Sequence, residues 1–224
     1  MAVLEINDLV VDFETDQGIV QAIDHLTLSV REGEIVGLVG ESGCGKTTVA
    51  RCILGVVPQP PAHVRAGEIR FQGEDLLRLS EAELTTRIRG KAITFIPQDP
   101  LAALNPLFPV GVQLRDMLRW GTRRRRREIH EHIISFLQQV QMPSPAAQLG
   151  KYPHEFSGGQ RQRLVIAAAL APAPALIIAD EPTSALDVTV QAQILLLLKS
   201  LVQERGTSVL LITHDLGVVA KLCD

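Results

Sequence analysis

Gly40-Glu41-Ser42-Gly43-Cys44-Gly45-Lys46-Thr47 satisfies the pattern G-x-x-x-x-G-K-[ST]. Three glycines let such a loop bend until its N–H groups point inward, forming an anion nest at the N-terminus of the helix that follows. The Lys46 ammonium then falls between β- and γ-phosphates, the Thr47 hydroxyl is offered to Mg2+, and Thr48 comes next for the α-phosphate. The chain also carries Asp180-Glu181 at the end of the apolar run Leu176-Ile177-Ile178-Ala179. A carboxylate pair in that position is the expected partner of a phosphate loop, Asp180 holding Mg2+ through water and Glu181 polarising an attacking water. Alone, two acids before Pro182 would read equally well as capping residues; beside the loop, phosphate chemistry is the better reading.

Ser157-Gly158-Gly159-Gln160 opens a helix and so makes a second anion-binding N-terminus. The first loop already accounts for a nucleotide, so this segment has no phosphate of its own to hold. The simplest reading is that it closes over the γ-phosphate bound to another chain. A serine N-cap explains Ser157 but not the paired glycines.

The elements that must position these residues follow from hydrophobic patterning. Short β-branched segments over residues 4–13, 20–23 and 26–30 predict strands, and 34–39 predicts a strand running straight into the loop. A helix is expected over 46–54, a loop around Pro58, Pro60 and Pro61, a strand over 67–71, and a Ser80-capped helix over 81–89. Pro97 stops a strand over 93–96. Prolines at 100, 106, 109, 143 and 145 then alternate with helical periodicity, with Ile129, Ile133, Leu137 and Val140 on one face. The α/β pattern resumes with a strand over 176–179, a helix over 188–202 and a strand over 208–212. In that helix Val190, Ile194, Leu197, Leu198 and Leu201 share the face that should pack on the sheet. The fold expected is α/β: a P-loop NTPase core (1–97 and 169–224), with an N-terminal antiparallel β subdomain and an inserted helical subdomain (98–168).

The 224 residues are 46% hydrophobic and 21% charged with net charge −3, so a large core is affordable by size and nucleic acid is not an expected partner. The longest apolar run, 164–179, is broken by Pro172 and Pro174 and falls short of the roughly 20 residues that cross a bilayer. Residues 1–11 alternate with charges instead of forming a leader, so the expectation is a cytoplasmic chain that leaves membrane spanning to another chain. Cys44, Cys52 and Cys223 are too few and too irregular for a disulfide framework or a zinc site. The run Arg123 to Arg127 reads as a solvated helix start, and His130 and His132, two apart, do not share a helical face. No metal besides Mg2+ is expected.

Taken in order, the phosphate loop, the segment Lys151 to Arg163, Asp180-Glu181-Pro182, Ser184-Ala185-Leu186-Asp187 and Thr213-His214-Asp215 resemble the nucleotide-binding subunit of ABC transporters over essentially the whole chain. That resemblance implies ATP and Mg2+ as cofactors. It also implies that Ser157 and Gly159, with Gly158 and Gln160, act on the γ-phosphate in trans. Asp187 would lie in the loop coupling two sites, His214 would be a switch histidine on the γ-phosphate, and Gln98 would touch Mg2+ and the water. Phe13 matches an aromatic that stacks on adenine, with a core strand position as the alternative. Gln98 to Pro106 and Tyr152 to Glu155 are similar to the peptide and nickel importer branch. The implied role is an ATP-hydrolysing motor subunit on the cytoplasmic face of the inner membrane. Its implied partners are a second ATPase subunit (identical or paralogous), transmembrane permease subunits and, indirectly, a substrate-binding protein.

Two small departures are Cys44 in place of a loop serine and Phe156 in place of leucine before Ser157; a larger one is the stop at Asp224, which predicts a domain truncated at its C-terminus. The alternatives are a soluble ABC ATPase outside transport, which would carry coiled coils or tandem cassettes, and a nucleotide-binding regulatory module without efficient turnover. A kinase or GTPase reading leaves Ser157-Gly158-Gly159 unexplained, and no GTPase-type N-K-x-D guanine signature appears in the chain.

Overall fold

The computed structural model describes residues 1–119, 126–184 and 186–224. β1 (Ala2–Thr15) and β2 (Gly18–Arg31) form one long antiparallel hairpin. Sequence pattern divides the second strand at Asp24 and His25, yet the chain continues through them as a single strand. The irregularity is absorbed by two left-handed residues, His25 (φ 47°) and Asp8 (φ 52°), at shifts of register that amount to bulges. Their side chains meet across the hairpin, His25 Nδ1 lying 2.6 Å from Asp8 Oδ1.

After β3 (Ile35–Val39) comes α1 (Lys46–Ile53), then β4 (Ala62–Phe71) and β5 (Glu74–Asp75), which complete an antiparallel sheet of order β2-β1-β4-β5. β4 begins at Ala62, earlier than patterning predicts, because Val64, Ala66 and their neighbours pair with β1. In α2 (Glu81–Glu83) Ser80 Oγ accepts the Glu83 N–H (3.3 Å) while the Glu83 carboxylate accepts the Ser80 N–H (2.9 Å), a reciprocal cap. The helix expected over 81–89 continues only as a wider π turn, Leu84–Ile88, in which the Arg89 N–H bonds to Leu84 O at 2.8 Å.

The strands and α-helices that follow are β6 (Ile93–Ile96), α3 (Val110–Arg119), α4 (Arg126–Gln139), α5 (Pro145–Gln148), α6 (Gly158–Leu170), β7 (Leu176–Asp180), α7 (Val188–Arg205), β8 (Ser208–Thr213) and α8 (Leu216–Leu222), with short 3-10 turns at Leu76–Arg78 and Pro153–Glu155. β3, β8, β7 and β6 make a second sheet in that order, with every pair parallel. All residues of β7 and β8 are buried, as strands covered on both faces must be. Their side chains alternate between two cores. Ile177, Ala179, Val209 and Leu211 face a cluster built with α3, α4, α6 and α7, whereas Leu176, Ile178, Leu210 and Ile212 face α1 and the antiparallel sheet.

The helical faces read from sequence are the buried ones. Ile129, Ile133 and Leu137 of α4 and Val140 just beyond its end are buried, as are Ile194, Leu197, Leu198 and Leu201 in α7, with Val190 half-buried against the same cluster. Arg123 to Arg125, and the Arg126 side chain, lie outside the described residues; Arg127 Nε pairs with Glu131 Oε1 at 2.9 Å. Among the described residues no helix is long and apolar enough to cross a membrane.

Gly67 is where the antiparallel sheet is least tolerant. It has φ +93°, and a Cβ there would stand 2.5 Å from Asp8 O and 2.6 Å from Leu9 Cα. Gly73 has a similar φ of +85° but open space. Urea unfolding is therefore expected to show Gly73→Ala losing about 1 kcal/mol of stability from backbone strain alone. Gly67→Ala should lose at least about 2–3 kcal/mol, strain and clash together. Equal losses would contradict the tight β1–β4 approach.

Candidate active site

The phosphate loop leaves β3 and enters α1 through Gly45, whose φ of +91° suits the left-handed N-cap position. A Cβ at Gly45 would lie 2.3 Å from Ala22 O, so β2 is pressed against the loop from behind. The Lys46 ammonium is buried and donates to Gly40 O (2.7 Å) and Glu41 O (2.5 Å), with Cys44 Sγ at 3.6 Å. Its charge is thus held over the loop by backbone acceptors. Cys44 is exposed.

Opposite the loop, the ends of β7 and β8 supply the acids and the histidine. Thr47 Oγ1 donates to Asp180 Oδ2 at 2.9 Å, tying the first turn of α1 to β7. Burial, the largest influence, pushes the Asp180 carboxyl above its ordinary value; the Thr47 hydrogen bond opposes this and the adjacent Glu181 charge adds to it. Glu181 takes a left-handed backbone (φ 45°), a conformation that costs a non-glycine residue about 1–3 kcal/mol. Its N–H bonds to Ile212 O at 2.8 Å, and its carbonyl accepts from Ser184 N and Ser184 Oγ, both at 3.2 Å. The bend turns the carboxylate into the cleft, where Oε2 accepts from Gln98 Nε2 (2.9 Å) and Oε1 meets His214 Nδ1 (2.7 Å). Glu181 is only 14% exposed, whereas His214 is 57% exposed.

These groups enclose a cleft of about 860 Å³. Of the residues singled out in the sequence, Gly40, Ser42, Gly43, Gly45, Lys46, Thr47, Thr48, Gln98, Asp180, Glu181 and His214 line it. Ala22, Val39 and Leu216 line it too, although no sequence motif marks them. Phe13 is not on that lining; it sits half-buried in β1 against the core shared with α1. The Cys44 side chain is turned toward Gly40 and Lys46 instead.

Ser157, Gly158, Gly159 and Gln160 are also absent from the lining. They form the start of α6, where Ser157 Oγ accepts the Gln160 N–H (3.3 Å) and Gln160 Oε1 accepts the Ser157 N–H (3.1 Å). Asp187 caps α7, its Oδ1 accepting from Thr189 N (3.1 Å) and Val190 N (3.0 Å). The two N-termini are neighbours, since α6 packs on α7 and Gly158 approaches Leu186. Ala185, part of the motif before Asp187, lies outside the described residues. Among the described residues no group of three or more His, Cys, Asp or Glu is arranged to hold a metal. Oxygen donors are nevertheless in place beside the loop: the Thr47 hydroxyl and Asp180 carboxylate are the hard ligands that suit a Mg2+ carried in largely by phosphate and water.

A phosphate loop and a carboxylate pair at the C-terminal ends of parallel strands, backed by an antiparallel sheet and flanked by helices, define a P-loop nucleotide-binding cassette. Known proteins agree. A family model described as ABC transporter matches residues 23–184. The chain is 47% identical over 221 residues to the oligopeptide transport ATP-binding protein OppD of Bacillus subtilis, a match covering 99% of this chain and 62% of that protein. It therefore spans less than two thirds of that relative's length. The dimeric structure of MJ0796, a bacterial ABC transporter cassette, superposes with a TM-score of 0.84 at 29% identity, covering 97% of this chain and 90% of that one. The same cassette in a post-hydrolysis state bound to ADP and Pi gives 0.83 at 29% identity, covering 96% and 89%. This chain belongs to the ABC transporter family.

The three cysteines should separate by reactivity. Cys44 is exposed, while burial pushes the Cys52 thiol up to about 11 and raises that of half-buried Cys223. N-ethylmaleimide at neutral pH is expected to label Cys44 first and leave Cys52 unlabelled, as read by peptide mass spectrometry. Because Cys44 Sγ is 3.6 Å from Lys46 Nζ, the adduct should weaken binding of a fluorescent ATP analogue by about tenfold or more. Unchanged binding by the labelled chain would separate Cys44 from the site.

Proposed function

We propose that this chain is the ATP-hydrolysing motor subunit of an ABC importer for peptide-like or nickel-type substrates. The observation that carries the reading is the joining of Glu181 to Gln98 and His214 in the cleft that also holds Lys46, Thr47 and Asp180. The oligopeptide transport role named for the relative at 47% identity favours the peptide branch.

In this reading the loop N–H groups and Lys46 bind the β- and γ-phosphates, while Phe13, half-buried in β1 against the core, keeps the strand position that is the alternative to adenine stacking. Thr47, Asp180 and Gln98 would hold Mg2+, which when bound neutralises phosphate charge. Glu181 takes the proton of the attacking water, and His214 keeps its carboxylate aimed into the cleft. The Ser157–Gln160 turn acts on the γ-phosphate bound by a second ATPase subunit, identical or paralogous, and Asp187 lies between the two sites. Such an arrangement is in keeping with the dimeric cassette this fold resembles.

Residues 98–168 then serve as a helical subdomain that receives a transmembrane permease subunit, while 1–97 and 169–224 form the nucleotide-binding core. ATP binding closes the pair and hydrolysis reopens it, which couples nucleotide state to the side of the membrane that is open. The chain would sit peripherally on the cytoplasmic face of the inner membrane, with a substrate-binding protein delivering cargo to the permease.

Glu181→Gln removes the proton acceptor but keeps the size of the side chain and one of its two acceptor oxygens. ATP turnover is expected to fall at least about 100-fold while ATP affinity stays within about threefold. Turnover at the unmodified rate would remove Glu181 from the role of general base.

A further inference from the structure

α6 opens with two glycines, at the helix positions where backbone strain gives no reason for them. Neither Gly158 nor Gly159 has a positive φ, and glycine is a weaker helix former than alanine. Space gives the reason at one of them. A Cβ at Gly158 would stand 3.3 Å from Leu186 Cδ2, a flexible side-chain end. At Gly159 it would stand 2.7 Å from Val190 Cγ1.

Val190 cannot easily yield. It is β-branched and in a helix, where one χ1 rotamer dominates. Its N–H is held by Asp187 Oδ1 at 3.0 Å, and its side chain is half-buried against the main core. Carbon–carbon contacts settle at about 3.5–4.0 Å, so a methyl at 159 would displace α6 from α7 by roughly 1 Å. The methyl would point at this chain's own α7 and leave the Gly159 N–H in place.

We infer that Val190 is a positioning residue for the Ser157-Gly158-Gly159 turn. Its γ-methyl, fixed by the Asp187 cap, sets how closely α6 approaches α7, and glycine at 159 is required to receive it. This deepens, and rests on, the reading in which that turn acts on a partner's γ-phosphate. A misplacement of about 1 Å in a group that positions reacting atoms costs on the order of 100-fold in rate.

Gly159→Ala, Val190→Ala and the double variant of the whole chain test the inference by two readouts. Hydrogen exchange on the isolated chain is expected to quicken about tenfold at the first turn of α6 in Gly159→Ala and to return within about twofold in the double variant. In steady-state ATP turnover, Gly159→Ala should lose about 100-fold in kcat with KM for ATP changed less than about threefold, and the double variant should regain at least tenfold. A double variant that folds where Gly159→Ala does not counts as the same rescue. Unchanged exchange in Gly159→Ala overturns the inference. So does a double variant no better than the single, whether in kcat or in folding, because the methyl would then be acting on whatever approaches the turn from outside. If the unmodified chain itself shows no turnover, the motor reading fails, and the exchange arm alone decides the role of Val190.

Discussion

Because β3, β8, β7 and β6 run parallel, the segments leaving their C-terminal ends emerge at one edge of the sheet. The registers Val39 with Thr213, Asp180 with Ile212, and Ile96 with Ala179 keep those ends level. The loop at Gly40, the histidine at 214, the acids at 180 and 181, and Gln98 are thereby delivered to one place. Gathering an ammonium and two carboxylates at the rim of a buried sheet is costly unless each finds a partner. Each does: Lys46 with loop carbonyls, Asp180 with Thr47, and Glu181 with Gln98 and His214. The left-handed Glu181 is the strain this arrangement accepts, held by Ile212 O on one side and the Ser184 turn on the other.

A second constraint acts at the N-terminal ends of α6 and α7, the latter starting soon after Asp180, at Val188. The N-termini of α6 and α7 are both capped by their own side chains and lie against each other, so the turn at Ser157 and the loop at Asp187 form one packed unit. α7 in turn rests on the parallel sheet through Ile194, Leu198 and Leu201. The Ser157 turn is thereby tied through α7 to the sheet whose strand ends line the cleft.

Much of this was legible in the sequence wherever the signal is local. Strand, glycine loop and helix at 34–54, the apolar run ending in Asp180, and the inward face of α7 are all set by neighbours within a few residues. Features set by distant partners were not legible. β2 reads as two strands because the irregularity at His25 is compensated by Asp8, 17 residues away. The helix over 81–89 widens to a π turn that no propensity signals. The bond between Gln98 and Glu181, 83 residues apart, depends on the order of the strands, which patterning alone does not specify. Phe13 illustrates the limit from the other side: its type and position invite an adenine, and its surroundings are those of a core strand residue. The glycine at 159 is conspicuous in the sequence, but its contact with Val190 appears only once two helices are packed.

Ser157 and its neighbours lie off the lining of the cleft, so in the proposed motor a second chain must complete it. Light scattering on the Glu181→Gln chain, with and without Mg2+ and ATP, tests it most directly. The predicted result is a nucleotide-dependent shift from 24.4 kDa to about twice that mass. A chain that binds ATP tightly and remains at 24.4 kDa, even when mixed with a paralogous ATPase subunit, would contradict it.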